Sequence, residues 1–215
     1  VPGAEYHLEA SFRLTRPDGI LPTGHEVAFL QYQLPFRADV SPRSSAGLPD
    51  VVVSGGGGEQ LLVRGPEFEL ALNQASGQIL SYRYRGTDLL LSGPRPNFWR
   101  PPTDNDYGAR LQERLRVWRD AGAFMRVRGP EVTRYGPSMV EIRFQGVLPS
   151  ADSAGYSLTY TVRGNGEVTV DGRMTAGSGD LPMLPRFGMR MELPGSFRHT
   201  SSGIQATVVA SRVPS

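Results

Sequence analysis

Residues 97–108 read NFWRPPTDNDYG, and they gather the side chains of this 215-residue chain best placed to do chemistry. Asp104, Asn105 and Asp106 stand in a row, and each accepts hydrogen bonds. Arg100 is near enough to pair with Asp104 or Asp106, and Trp99 has a broad aromatic face. Two readings compete for the stretch. In one, Trp99 meets a ligand. In the other, Phe98 and Trp99 plug the edge of a sheet, Arg100 neutralises an aspartate, and the acidic residues cap a helix. A calcium loop fails on spacing. Counted from Asp104, the fifth ligand place falls on Gly108, Ala109 replaces the needed glycine and Leu115 replaces the closing glutamate.

These side chains need a rigid mount, and the prolines supply one. Pro96, Pro101 and Pro102 fix their own φ, and Pro101 biases Arg100 toward extended backbone, so the loop presents Phe98, Trp99 and Arg100 at little entropic cost. Behind the loop, ARLQERLRVWRDAG carries Leu111, Leu115 and Trp118 at i, i+4 and i+7. That spacing predicts one helix over 109–121, capped at its start by Asp106 or a neighbour and closed by Gly122 in the place of a C-cap glycine.

The rest of the chain reads as strands. In EYHLEASFRLT, Tyr6, Leu8, Ala10, Phe12 and Leu14 alternate with polar residues, and HEVAFLQYQLP comes after a PDGILPTG turn. This is a hairpin of half-buried strands, with either Val27, Phe29 and Gln31 or the opposite set facing inward. Residues 37–58 are rich in Pro, Ser, Ala and Gly and read as a linker. Strand-like runs then recur: EFELALN, GQILSYRY, TDLLLSG, VEIRFQGVL, YSLTYTVRG, GEVTVDGRM and FGMRMEL. Short alternating runs with glycine-rich turns predict an all-β, antiparallel β-sandwich with one short helix.

Composition narrows the partners. All 23 basic residues are arginine, against 21 acidic ones, and the arginines are dispersed through turns and strands. A net charge of +2 without a basic block argues against nucleic-acid binding. No run of eighteen apolar residues and no leader-like N-terminus is present, so a soluble, cytoplasmic protein with no membrane partner is expected. The chain has no cysteine, which fits a reducing compartment.

Residues 96–122 resemble a signature of the large β-galactosidases of glycoside hydrolase family 2, P-x-F-x-R-A-P-T-D-N-D-x-G and then a helix ending W-x-x-A-G. Pro96, Phe98, Arg100, Pro102, Thr103, Asp104, Asn105, Asp106, Gly108, Trp118, Ala121 and Gly122 match, and Pro101 departs from the family's alanine. The resemblance implies that residues 1–36 end the family's penultimate immunoglobulin-like domain. It also implies that 37–58 is a linker and that 59–215 begins the last β-sandwich, an incomplete galactose-mutarotase-like supersandwich.

The family hydrolyses terminal β-galactosides with retention, using two glutamates on a (β/α)₈ barrel. That barrel lies outside the matched region, so this chain is expected to be inactive alone. The resemblance implies that Arg100, Asp104, Asn105 and Asp106 brace a loop facing the barrel, with Gly108 as the pivot of a mobile segment C-terminal to it. It also implies partners in the barrel and other domains of the enzyme, and a galactoside only through the complete enzyme. The Mg and Na ions of the family are bound mainly by other domains, so no cofactor is expected here. The competing class is a stand-alone carbohydrate-binding or structural sandwich, which would show Tyr82, Tyr84, Tyr156 and Tyr160 as an exposed row on one sheet face. Residues 200–215 depart from the family's V-E-W-Y-G continuation, yet permitted codons around 199–203 read Val-Glu-Trp one step over. A frameshift, a natural variant and a vector-derived end all account for the tail. If a frameshift truncates the sandwich, the sheet edges left bare would be covered by self-association or would remain partly disordered.

Overall fold

The computed structural model describes residues 6–36, 46–55, 59–151, 154–175, 177 and 180–197. The tail 200–215 lies outside them. Contacts divide the chain into two units, one within Val1–Ser44 and one within Ser45–Ser215.

The first unit is a hairpin of β1 (His7–Arg13) and β2 (Glu26–Gln33). Leu8 lies opposite Tyr32, Ala10 opposite Leu30 and Phe12 opposite Ala28, so these six share one apolar face. It is the set opposite to Val27 and Phe29 that completes the face. The expected half-burial is not found: Leu8, Phe12, Leu30 and Tyr32 all remain exposed. Two strands alone have no second layer against which to bury a face.

The second unit is the sandwich. One sheet runs in the order β13 (Gly188–Glu192), β8 (Ser92–Asn97), β6 (Ile79–Tyr84), β5 (Phe68–Asn73), β4 (Gln60–Arg64), β3 (Val52–Gly55), with β7 (Thr87–Leu90) paired to β6. The other runs β12 (Val168–Thr175), β11 (Ala154–Arg163), β10 (Met139–Leu148), β9 (Arg126–Arg134). Every pairing is antiparallel. Alternation decides what faces inward. On β11, Ala154, Tyr156, Leu158, Tyr160 and Val162 are buried, and on β10 so are Val140, Ile142 and Phe144. They pack with Val63, Leu70 and Leu72 of the facing sheet in one core.

Three strands, β3, β4 and β9, lie outside the predicted runs, and β8 lies outside them beyond Gly93. β3 falls inside the stretch read as linker, because Val52 and Val53 favour extended backbone and pair with Arg64 and Val63. The linker reading is therefore corrected at Val52–Gly55. β4 is a five-residue run whose Leu61 and Val63 face the core. β9 carries Gly129 and Pro130 and is an edge strand, where a missing donor is tolerated. β8 contains Pro94 and Pro96, and it meets β6 at the single pair Ile79 and Gly93.

Candidate functional site

β8 runs straight into the NFWRPPTDNDYG loop and carries it to the sandwich surface. Phe98 is the anchor. It is buried and packs against Trp118, Tyr156 and Phe187 with ring centroids 5.9–6.1 Å away. Trp99 is half-buried against the same core.

Past the prolines the chain enters α1 (Asp104–Gly108), with Thr103 at its N-cap in an extended conformation. Asp106 turns inward and is buried. Its Oδ2 accepts from Arg100 Nη1 at 2.6 Å and its Oδ1 from Arg100 Nη2 at 3.0 Å, a two-pronged ion pair. The same Oδ2 accepts from the Thr103 backbone N–H at 2.8 Å and from the Thr103 hydroxyl at 3.0 Å. One carboxylate thus ties the loop before the helix to the helix's first turn. The Arg100 hydrogen bonds, then the Thr103 backbone N–H, hold the Asp106 carboxyl down to about 2. The partner of Arg100 is Asp106 and not Asp104. Asp104 and Asn105 face solvent, as does Gly108.

The single helix expected over 109–121 is broken into pieces. α1 begins earlier, inside the motif. Arg110 adopts φ of 55°, which interrupts the helical path, and α2 (Leu111–Arg114) starts after it, with a 3-10 turn at Arg116–Trp118 beyond. The predicted apolar face survives the break: Leu115 and Trp118 are buried, Leu111 is half-buried, and the Trp118 indole donates to the Pro182 carbonyl at 3.0 Å. Gly122 does not serve as a left-handed cap. A Cβ there would fall inside contact distance of the Pro96 carbonyl, so glycine is required for close approach to β8.

The four tyrosines do not form an exposed row. Tyr156 and Tyr160 point into the core from β11, while Tyr82 and Tyr84 are half-buried on the other sheet. The Tyr82 hydroxyl donates to the Gly166 carbonyl and that of Tyr160 to the Gly77 carbonyl, so these residues stitch the sheets together. Among the described residues no three His, Asp or Glu side chains gather as ion ligands. No described helix is long and apolar enough to cross a membrane.

Two packed antiparallel sheets with a proline-braced, ion-paired loop at their edge define an all-β sandwich domain whose ordered surface loop is its distinguishing feature. Residues 64–201 match the family described as "Beta galactosidase small chain", and the chain belongs to that family. It is 34% identical to a β-galactosidase of Priestia megaterium over 90% of this chain and 18% of that protein. It is 28% identical to a β-galactosidase of Halalkalibacterium halodurans over 90% of this chain and 19% of that one. A β-galactosidase small subunit of Latilactobacillus sakei is 26% identical over 61% of this chain and 47% of the subunit. The chain therefore spans under a fifth of the length of the first two relatives.

Proposed function

We propose that this chain is a non-catalytic, C-terminal part of a cytoplasmic glycoside hydrolase family 2 β-galactosidase, which cleaves terminal β-D-galactosides with retention. Its role is to brace the barrel domain and to shape the galactoside pocket. The two catalytic glutamates and the family's Mg and Na ions belong to the rest of the enzyme. The hairpin closes an immunoglobulin-like domain, and the sandwich begins ahead of β3.

One observation carries the reading. Arg100, Thr103 and Asp106 satisfy one another and hold the loop rigid, while Asp104, Asn105 and Gly108 are displayed outward. A Cβ at Gly108 would meet no atom within 4 Å, and its backbone is not left-handed, so neither packing nor conformation here requires glycine. A surface held this rigidly, with residues that the sandwich itself does not use, suits contact with a further domain. Within the complete enzyme Trp99 contributes to the pocket edge through packing, and the domain as a whole supplies support and access.

The test is complementation. The chain alone is expected to leave a chromogenic galactoside intact, and the barrel-bearing polypeptide from the same source is expected to gain hydrolysis when the chain is added. Asp104→Ala with Asn105→Ala should reduce that gain while leaving the chain's own unfolding midpoint unchanged. Hydrolysis by the chain alone, or a gain indifferent to both substitutions, would contradict the proposal.

A further inference from the structure

A cleft of about 200 Å³ opens where β8, β13 and the turn that follows Trp118 meet, and Arg95, Arg190 and Arg119 line it, one from each. Pro96, Phe98 and Ala123 add uncharged wall, and no carboxylate lines it. Arg95 and Arg190 stand directly opposite one another on paired antiparallel strands, which puts two like charges side by side on one face. Such a pair destabilises a sheet unless an anion answers it. Glu192 does so only in part: one oxygen, Oε1, lies 3.5 Å from Arg190 Nη2 and 3.8 Å from Arg95 Nη2. Arg64, Arg83, Arg85 and Arg173, by contrast, each hold a carboxylate of their own within 3.0 Å. Arg119 uses its Nε on Asp120 at 3.0 Å, and its two terminal nitrogens have no partner among the described residues. Three guanidiniums thus stand against two carboxylates, and one positive charge is left over.

We propose that this cleft receives a carboxylate, the side chain of an aspartate or glutamate on another part of the galactosidase assembly. One carboxylate balances the remaining charge, and its two oxygens accept from the guanidinium N–H groups around it. A phosphate dianion would exchange an excess of positive charge for an excess of negative, and a neutral sugar would leave the opposed arginines unrelieved. Openness to water decides the source. Arg119 and Arg190 are 61% and 63% exposed, and an ion pair at that exposure is too weak to hold a dilute free anion. Attached to a domain already docked, the same carboxylate is present at high effective concentration and needs little intrinsic affinity. More than four-fifths of each of the first two relatives lies outside the match, ample chain to supply it. This source rests on the reading of the chain as part of a larger enzyme. The preference of the cleft for a carboxylate does not.

Acetate, acetamide and phosphate serve as probes in separate NMR titrations of the 215-residue chain at constant ionic strength, followed on the arginine Nε–H signals. Acetate is expected to shift Arg95, Arg119 and Arg190 together and saturably, neutral acetamide to shift none of them, and phosphate to bind no more tightly than acetate. Arg95→Gln with Arg190→Gln should abolish the saturable shift at Arg119. In low-salt urea unfolding without acetate, Arg190→Gln alone should raise the midpoint by relieving the opposed charges, where an arginine kept for the fold would lower it. Mixed with the barrel-bearing polypeptide from the same source, the double variant should associate roughly tenfold more weakly than the native chain at low salt, with the gap closing as salt is added. Acetate shifts no larger than those of acetamide, tighter binding of phosphate, a lowered midpoint, or association indifferent to the double variant would each overturn the proposal. A native chain that fails to associate at all would contradict the proposed function and with it the source of the carboxylate. The acetate and urea results would stand unchanged, so the two readings fail separately.

Discussion

Asp106 concentrates in one carboxylate what the loop needs from an anion: it accepts four hydrogen bonds, two from a guanidinium and two from the residue at the helix N-cap. Its folded-state value near 2 lies below the ordinary 3.8, so ionisation favours the folded state. That contribution is fully present above about pH 4, where the unfolded chain is also ionised, and it is lost as pH falls toward 2. Urea midpoints measured between pH 5 and 2 should therefore fall more steeply for the native sequence than for Asp106→Asn. Arg100→Ala should lower the midpoint at pH 7 and narrow that difference, since the largest cause of the depressed value is gone. Equal acid slopes for the two proteins would mean that the ion pair is not held in solution. Gly108→Ala belongs to the same scale and points the other way. With open space around it, the substitution should leave the midpoint within about 0.5 kcal/mol, as surface changes usually do.

At the scale of elements, the 108–122 segment shows why sequence yields faces more readily than boundaries. Leu111, Leu115 and Trp118 were legible as one apolar stripe because burial tracks spacing, and two of them are buried. The interruption at Arg110 was not legible, since a left-handed arginine leaves no mark in hydrophobic periodicity. Gly122 was recognised as special for the wrong reason: its constraint comes from Pro96, a neighbour in space on β8. The same limit hid β8 and β9, whose prolines are tolerated only because of where those strands sit in their sheets. Within the site, the proximity of Arg100 to the acidic cluster was readable, whereas the choice of Asp106 over Asp104 depends on which way α1 turns. Gly122→Ala tests the tertiary account directly. Forcing a methyl group against the Pro96 carbonyl should destabilise the sandwich by roughly 1–3 kcal/mol, read as a drop in denaturant midpoint.

For the whole molecule, the two sheets are joined by apolar packing and by a few hydroxyls that cross the core. Tyr160 and Tyr156 lie on the same face of β11, both buried, yet their hydroxyls differ. That of Tyr160 donates to the Gly77 carbonyl on the opposite side at 2.7 Å, whereas that of Tyr156 has no hydrogen-bond partner among the described residues. Removing the first hydroxyl breaks a bond and strands a carbonyl, and removing the second strands nothing. Tyr160→Phe should therefore cost about 1 kcal/mol, while Tyr156→Phe should be neutral or slightly stabilising. Alkaline pH probes the same two residues. Burial pushes both phenols up, Tyr156 to about 12 from an ordinary 10.0, so the folded state keeps them neutral while the unfolded chain ionises. Stability is then full below pH 10 and declines as pH rises through 10 toward 12. Each phenylalanine variant should show a shallower alkaline decline than the native chain, even though only Tyr160→Phe starts from a lower midpoint at pH 7. An alkaline slope unchanged in both variants would mean that water reaches β11, and that the two sheets are not closed over their tyrosines.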